Sequence, residues 1–380
     1  MSNSPLSLSD KLQQKLAERA AQGNLRALKT TTYLVDFCSN DYLGLARSEK
    51  LRELIQQEEP NYKQLPLGAT GSRLLSGNHP LFEELETIVA GYHKGESALL
   101  FNSGYMANVG LLSALPQRGD TVFYDEASHA SMKDGLRLSF AKSYSFRHND
   151  VDDLQQKLKH ATGQVYVVVE SVYSMDGDKA PLQELAIVCE QHNAALIVDE
   201  AHAVGLYGPN GEGLTVALGL QDKVFAQVIT YGKAMGNHGA AIVGPKVLRE
   251  FLINYSRAFI YTTGLPTHAL LALKCAYSLL PQLQPEREKV KKLAAQLYDQ
   301  LNTIKGIRCT PSDSVILSVF TEDAAQLKPL ALALQQQGFD VRPVMSPTVP
   351  KGKERLRVIV HAYNTEEEIV GLVQAIAKHL

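Results

Sequence analysis

A lysine and an aspartate in this sequence each come directly after an apolar segment. Asp199 ends the run at 194–198, and Lys233 follows the next such run, between Gly232 and Gly236. In a parallel α/β sheet, ligands bind at the carboxyl ends of the strands, so polar residues at these positions are the first candidates for chemistry. The flanking glycines allow close backbone approach, which favours Lys233 as an amine nucleophile.

Each of these residues has a plainer interpretation when taken alone. An acid at a strand end is equally typical of a helix cap or a Walker-B magnesium ligand, although the sequence has no GxxxxGK[ST] loop. A single lysine is usually a solvated surface residue. The pairing of Lys233 with Asp199 favours chemistry, because pyridoxal 5'-phosphate (PLP) needs an amine to form an imine and a carboxylate to keep its pyridine nitrogen protonated.

A turn suited to phosphate follows the apolar segment at 98–101. Ser103 and Gly104 open a helical stretch there, and the free N–H groups and dipole of a helix N-terminus attract anions. A small residue and a glycine are also common at such turns for geometry alone. A nucleophile-elbow serine would need glycine at the positions of Phe101 and Tyr105, so Ser103 is predicted to be a ligand and not a nucleophile.

His129 follows a further apolar segment at 121–124. An isolated histidine is more often structural, but beside a flat ring an imidazole stacks on one face and still hydrogen-bonds a substrate carbonyl. A metal site built from His129, His202, Asp199 and Glu200 is the other interpretation. The spacing of these residues matches no compact metal motif, so we expect no metal.

The elements that must position these residues alternate along the chain. Apolar segments predict buried strands at 98–101, 121–124, 164–170, 194–199, 224–230 and 239–243, mostly with helical stretches between them. These segments are continuously apolar, as in strands covered on both faces. The sequence therefore predicts an α/β fold with a mostly parallel sheet. After residue 257 we expect a helix at 266–280, a polar segment through 288, a second helix to 304, and strands at 315–320 and 355–361.

The N-terminal segment predicts one helix, capped by Ser9 and stopped by Gly23. Its apolar residues, Leu12, Leu16 and Ala20, share one face and have no partner nearby, so we expect that face to pack on another domain or subunit. We divide the chain into an N-terminal helix and arm (1–50), a large cofactor-binding domain (51–260) and a smaller C-terminal domain (261–380).

Composition limits the class of partner. The 38 Lys and Arg residues nearly balance the 40 Asp and Glu residues, for a formal charge of −2, which argues against nucleic-acid or membrane binding and favours small-molecule substrates. The sequence shows no signal-peptide core and no membrane-length apolar stretch, so we expect a cytoplasmic protein. The four scattered cysteines predict buried, reduced thiols.

Taken together and in this order, the motifs resemble the α-oxoamine synthase family of fold-type I PLP-dependent transferases over nearly the whole chain. The matching segments are Ser39 to Leu45, Gly68 to Gly77, Asp199 to His202, Thr230 to Lys233 and Arg355 to Arg357. The resemblance implies a large domain with a mostly parallel seven-stranded sheet flanked by helices, and a smaller α+β C-terminal domain.

The resemblance also implies roles for individual residues. The implied catalytic residues are Lys233, which holds PLP, Asp199, which pairs with the pyridine nitrogen, and His129, which stacks on the ring. The other implied cofactor contacts are Ser103, Gly104, Tyr105, Ser174, His202 and Thr230, with Thr262 and Thr263 reaching the phosphate from the neighbouring subunit of a homodimer. The implied substrate contacts are Arg357 and Asn40 at the amino-acid carboxylate, Thr348 beside them, and Arg26 at the acyl substrate.

Members of this family condense an amino acid with an acyl thioester and release CO2. Residues 68–77 and 102–105 most resemble those members that join L-alanine to a pimeloyl thioester in biotin biosynthesis. Other pairs stay open, such as glycine or serine with acetyl, succinyl or palmitoyl thioesters, and so does the choice between CoA and a carrier protein. An inactive PLP-fold protein would be expected to lack Lys233 or Asp199, and His129 at the stacking position disfavours a simple transaminase.

Overall fold

The computed structural model of the chain describes residues 7–28, 30, 34–311 and 313–380. The helices are α1 Leu8–Ala21, α2 Glu49–Glu58, α3 Pro80–Tyr92, α4 Gly104–Ala114, α5 Ala130–Leu138, α6 Val151–Leu158, α7 Leu182–Gln191, α8 Leu214–Ala217, α9 Lys246–Tyr255, α10 Arg257–Ile260, α11 Thr267–Leu279, α12 Gln284–Leu301, α13 Leu327–Gln336 and α14 Glu366–Lys378. The strands are β1 Val35–Asp36, β2 Ser97–Phe101, β3 Thr121–Asp125, β4 Lys142–Phe146, β5 Val165–Glu170, β6 Ala194–Asp199, β7 Ala226–Thr230, β8 Ala240–Gly244, β9 Ile307–Cys309, β10 Ile316–Thr321, β11 Phe339–Asp340, β12 Arg342–Val344 and β13 Arg355–Ile359.

A seven-stranded sheet forms the centre of the fold, in the order β2-β8-β7-β6-β5-β3-β4. β8 pairs antiparallel with both of its neighbours, and the other pairs are parallel. Six carboxyl ends therefore lie along one edge, where ligands of such sheets bind. The predicted mostly parallel seven-stranded sheet is confirmed, although the list of predicted strands lacked β4.

The central strands are apolar because both faces of the sheet are covered. All six residues of β5 are buried. Val167 and Val198 pack into one apolar cluster, whereas Val168 and Ile197 pack into a second cluster on the other face. Each fully buried side chain of this size contributes about 1.5–3 kcal/mol, so the apolar clusters hold the strand ends in fixed positions.

A smaller antiparallel sheet, β12-β13-β10-β9, lies in the C-terminal part of the chain. Helices α12 and α13 pack on this sheet, and α14 packs on both of these helices, which confirms the predicted α+β unit. The short strand β1 pairs parallel with β11 in a separate two-stranded sheet. The division of the chain at residues 50 and 260 stays a prediction.

The N-terminal helix begins earlier than predicted. Ser7 and not Ser9 is its N-cap, because the Ser7 hydroxyl accepts the Asp10 N–H at 3.1 Å while Asp10 accepts the Ser7 N–H at 3.1 Å, a reciprocal capping box. Gly23, with φ +65°, follows the helix end as expected. Leu12 and Leu16 are each 54% exposed, so the apolar face of α1 packs on no described part of this chain.

Two further expectations need correction. The polar segment expected through residue 288 is mostly helical, because a short 3-10 turn at Leu280–Gln282 leads directly into α12. Three cysteines are buried as predicted, but Cys38 is only half-buried.

Among the described residues, no helix combines the length and apolar character that crossing a bilayer requires.

Candidate active site

A cavity of about 250 Å³ opens at the carboxyl ends of β2, β3, β5, β6 and β7. Its lining comprises Asn40, Ser103, Gly104, Tyr105, Asn108, His129, Ser131, Glu170, Asp199, Ala201, His202, Thr230, Gly232, Lys233, His238 and Gly239. The structure therefore brings nine of the predicted site residues into one cavity, although they come from distant parts of the sequence.

Lys233 is held in a tight loop after β7. The Gly236 N–H donates to the Lys233 carbonyl at 2.8 Å, and a Cβ at Gly236, with φ +60°, would lie 2.1 Å from the Ala46 nitrogen. Burial lowers the pKa of the Lys233 amine, and the charge of Arg357 acts in the same direction, against the opposing charges of Asp199 and Glu170. A lowered pKa frees the amine lone pair for attack on a carbonyl or for proton abstraction.

Asp199 presents a fixed carboxylate at the end of β6. It is 4% exposed, and it accepts the Ala201 N–H at 2.8 Å through Oδ1 and the Asn108 side-chain N–H at 2.8 Å through Oδ2. These donors hold the group without neutralising its charge. The carboxylate is therefore placed to stabilise a cation in the cavity.

A network of polar side chains links the C-terminal sheet to the cavity. Arg357, on β13, donates to the Ser174 carbonyl at 2.7 Å and to Asn40 Oδ1 at 3.0 Å. Tyr42 also donates to Asn40, at 3.1 Å, and its hydroxyl lies 2.6 Å from His202 Nδ1. Burial lowers the pKa of His202 well below its usual value, with Lys233 and Arg357 acting in the same direction, so this imidazole is neutral.

The N-terminus of α4 forms an anion-binding geometry. Ser103 caps the helix by accepting the Met106 N–H at 3.2 Å. A Cβ at Gly104 would lie 2.5 Å from Thr230 Cγ2, so this close approach requires glycine. Thr230 Oγ1 is buried and lacks a hydrogen-bond partner among the described residues. A helix N-terminus beside an unpaired hydroxyl suits a phosphate.

His129 borders the cavity as the N-cap of α5. Its backbone N–H donates to Glu170 Oε1 at 2.6 Å, which ties α5 to the end of β5. The Tyr105 ring stands edge-on to the imidazole at 6.4 Å between centroids. This arrangement fixes the position of the imidazole while leaving it accessible from the cavity.

Comparison with known proteins decides the family. The model of the family "Aminotransferase class I and II" matches residues 32–376. The chain belongs to the aminotransferase class I and II family. A relative named 8-amino-7-oxononanoate synthase, from Emericella nidulans, is 40% identical over 407 aligned positions that cover all of this chain and 98% of the relative.

Several solved structures share the fold of this chain. The serine palmitoyltransferase of Sphingomonas wittichii is 28% identical, with a TM-score of 0.91 and coverage of 98% of both chains. A structure of SPT that contains PLP is 29% identical, with a TM-score of 0.90 and coverage of 98% of both chains. The family and the fold class predicted from the sequence are confirmed.

Some predicted site residues of this aminotransferase-family chain lie outside the cavity. Thr262 and Thr263 receive hydrogen bonds from Asn102, at 3.2 Å to the Thr262 hydroxyl and 2.8 Å to the Thr263 carbonyl. Arg26 donates to Thr348 at 3.3 Å, and both border a separate cavity of about 220 Å³. Ser174 and Arg357 adjoin the Lys233 cavity through Asn40 without lining it.

Several residues that contribute to the site were not predicted. Glu170 ends β5 as an acid after an apolar run, which is the same signal that selected Asp199. Tyr42 lies inside the segment 39–45 that carried the resemblance. Asn108 and Ser131 lie within helices of the aminotransferase fold, and no local pattern distinguishes them from other polar helix residues.

A larger cavity, about 600 Å³, lies at the opposite edge of the same sheet. Two of its ionisable side chains have partners elsewhere: Lys223 pairs with Glu190 at 2.9 Å, and Glu96 accepts the Lys246 N–H at 3.0 Å. No lysine there faces a buried carboxylate among the described residues. The smaller cavity, where an amine, a carboxylate and an anion-binding turn converge, is therefore the candidate active site.

Proposed function

We propose that the chain catalyses the PLP-dependent condensation of L-alanine with a pimeloyl thioester. The products are 8-amino-7-oxononanoate, CO2 and the free thiol of the acyl carrier. The observation that carries the proposal is the convergence of Lys233, Asp199 and the α4 N-terminus on one cavity. Relatives at 36–40% identity that are named 8-amino-7-oxononanoate synthase, some of them putatively, support this choice of substrates.

The residues of the cavity fit PLP. The lowered pKa of Lys233 suits covalent attachment of an aldehyde, and Asp199 would face the pyridine nitrogen. The phosphate would bind at the N-terminus of α4, beside Ser103, Gly104 and Tyr105. The buried Thr230 hydroxyl would gain a hydrogen-bond partner there. When bound, PLP supplies an electron-accepting ring that withdraws electrons from the α-carbon of the amino acid.

The protein side chains supply binding and proton transfer. We propose that Arg357 binds the carboxylate of the amino acid, because its guanidinium is already oriented by Asn40 and the Ser174 carbonyl. Lys233, with its lowered pKa, would take the α-proton of the amino acid. His129 would cover one face of the ring and donate to a substrate oxygen.

The acyl substrate would enter from the side of Arg26 and Thr348. Their cavity is also lined by Arg19 and Lys328, so three of its lining side chains are cationic. We therefore keep Arg26 as a contact of the acyl substrate and Thr348 as a substrate contact beside it. The cytoplasm stays the predicted compartment.

We propose a homodimer in which Thr262 and Thr263 reach the phosphate of the partner subunit. Neither residue lines the cavity of its own chain. Exposed apolar side chains surround this region, with Leu75 85% and Tyr261 72% exposed. Their burial against a second copy would support the assembly.

A thiol-release assay tests the proposal. L-alanine, glycine and serine are crossed against acetyl, succinyl, pimeloyl and palmitoyl thioesters, each on CoA and on a carrier protein. We expect the highest kcat/KM with alanine and a pimeloyl thioester, and loss of activity in Lys233→Ala. If serine with a palmitoyl thioester were preferred, in line with the similarity to serine palmitoyltransferase structures, the substrate assignment would be wrong while the family assignment stood.

A further inference from the structure

A chain of hydrogen bonds runs beneath the cavity from Asp199 to His129. The Asn108 side-chain nitrogen lies 2.8 Å from Asp199 Oδ2 and 3.1 Å from Ser131 Oγ. Ser131 Oγ lies 2.7 Å from His129 Nδ1. Asn108 and Ser131 are 3% and 0% exposed, so water does not compete for these bonds.

The chemistry of the groups determines the direction of each bond. A carboxylate only accepts, so Asn108 must direct its NH2 group towards Asp199. The second N–H of that group then donates to Ser131 Oγ. Because the Ser131 hydroxyl accepts from Asn108, its own proton is available for His129 Nδ1.

A second donor leads independently to the same orientation. The backbone N–H of Ser131 donates to His129 Nδ1 at 3.2 Å. A backbone N–H has no alternative role, so Nδ1 must be an acceptor and carry no proton. Burial lowers the pKa of His129 and outweighs the opposing charge of Asp199, with Lys233 and Lys133 acting in the same direction as burial, which agrees with a neutral ring.

We propose that Asn108 and Ser131 are positioning residues that fix His129 in the tautomer with its proton on Nε2. The imidazole then presents an N–H donor to the cavity, while its Nδ1 is turned towards α5. In the opposite tautomer a lone pair would face any substrate oxygen placed there and repel it.

The consequence for catalysis rests on the proposed function. Attack on a thioester carbonyl places negative charge on the carbonyl oxygen, and a fixed N–H donor stabilises that charge without reorganisation. The chain of bonds also couples this donor to Asp199, so one buried network orients the groups on two sides of the cofactor site.

Nitrogen NMR of the holoenzyme, labelled with 15N-histidine, tests the assignment. The ring signals of His129, identified by their loss in His129→Asn, distinguish a protonated from an unprotonated nitrogen. We expect Nδ1 unprotonated and Nε2 protonated near neutral pH. In the double variant Asn108→Ala, Ser131→Ala the backbone N–H of residue 131 still donates to Nδ1, so we expect Nδ1 to stay unprotonated but its signal to shift towards that of a nitrogen with fewer hydrogen bonds. A protonated Nδ1 in the wild type, or an Nδ1 signal that does not shift in the double variant, would overturn the proposal.

Kinetics provide a second test. Ser131→Ala should lower kcat about tenfold, as expected for one lost hydrogen bond, and leave the KM for the amino acid within about threefold. Ser131→Thr, which restores a hydroxyl, should recover part of kcat. Ser128→Ala is the matched control, because Ser128 is buried nearby and its hydroxyl has no partner among the described residues. An equal loss in Ser128→Ala, or no loss in Ser131→Ala, would contradict the role of Ser131.

The tautomer of His129 and the substrate assignment are tested by independent measurements, so either one can be wrong without the other. If alanine and pimeloyl thioester prove not to be the substrates, the tautomer of His129 is still measured directly, and the inference stands on that measurement. If the substrates are confirmed and Nδ1 is protonated, only the inference falls.

Discussion

Glu170 and Asp199 are register partners at the carboxyl ends of the neighbouring parallel strands β5 and β6. Both are buried, at 2% and 4% exposure, yet their hydrogen bonds differ. Asp199 accepts N–H groups from Ala201 and Asn108, whereas Glu170 accepts the N–H of His129. Burial and the charge of Asp199 raise the pKa of Glu170 well above the usual carboxyl range, so Glu170 is the carboxyl that holds a proton.

This difference predicts a pH-dependent effect of Glu170→Gln. Because the folded-state pKa is raised, the protonated carboxyl contributes stability that is complete at acidic pH and is lost as pH rises through that pKa. The glutamine variant stays neutral at every pH. The Tm difference between this variant and the wild type should therefore change in favour of the variant by about 1–3 °C as the pH rises from about 5 to about 9. Thermal unfolding across this range checks it. The exposed control Glu53→Gln should show no such trend, and a constant difference for Glu170→Gln would refute the prediction.

His148 bridges two carboxylates and should stabilise the loop that contains Ser174. Its ring nitrogens lie 2.9 Å from Asp125 and 2.7 Å from Asp178. Burial acts to lower the pKa of His148, but the bonds to both carboxylates outweigh it and raise that pKa to about 10. The stabilisation is complete below the usual histidine pKa and is lost as pH rises through about 10.

His148→Gln should therefore lower the free energy of unfolding by about 1–3 kcal/mol at acidic to neutral pH, less than for a fully buried pair because the imidazole is 30% exposed. Urea titrations near pH 6 and above pH 10 measure this difference, which should shrink at the higher pH. His160→Gln, on an exposed residue, is the control. An equal cost at both pH values would mean that His148 contributes packing and not charge.

Glu200 anchors the segment after the Asp199 strand. It accepts the Ser171 hydroxyl at 2.8 Å, the Leu214 N–H at 2.9 Å, and both the N–H, at 2.6 Å, and the hydroxyl of Thr215. Glu200→Gln places an NH2 group against these donors, so it should cost about 1–3 kcal/mol in unfolding free energy. Chemical denaturation with Glu53→Gln alongside checks this, and a loss no larger than that of the exposed control would rule out the anchoring role.

Arg357 should determine the affinity for the amino acid. Its guanidinium binds Ser174 and Asn40 at once, which a lysine ammonium on a flexible stem does not reproduce. Arg357→Lys should raise the KM for alanine tenfold or more and change the KM for the thioester by less than about threefold. Steady-state kinetics with Arg118→Lys, an exposed arginine, as control measures this. A selective rise in the thioester KM would instead assign Arg357 to the acyl substrate.

The parts of the fold that the sequence predicted are those with a local physical signature. Both ends of β6 were predicted correctly because Ala194–Asp199 is an apolar run buried between two helical layers. β4 was missed because Lys142–Phe146 is an edge strand whose first four residues are exposed, so it lacks apolar continuity. The N-cap role of Ser7 could have been predicted from the sequence, since Asp10 lies three residues later, at the position that completes a capping box.

The candidate site was predictable only where each residue carries its own signal. Asp199 ends a strand, and Lys233 and Ser103 each follow one, which marks these residues in a linear sequence. Asn108 contacts Asp199 across 91 residues, and that proximity arises from the packing of α4 on the sheet. Such contacts become visible only in the folded chain.

Peptide mapping of the reduced holoenzyme tests the central claim most directly. The protein is incubated with PLP, treated with borohydride, digested and analysed by mass spectrometry, with Lys223→Ala as a control for a surface lysine. We expect one stoichiometric pyridoxyl group on Lys233, retained in the control and absent from Lys233→Ala. A pyridoxyl group on another lysine, or none at all, would contradict the assignment of this cavity as a PLP site.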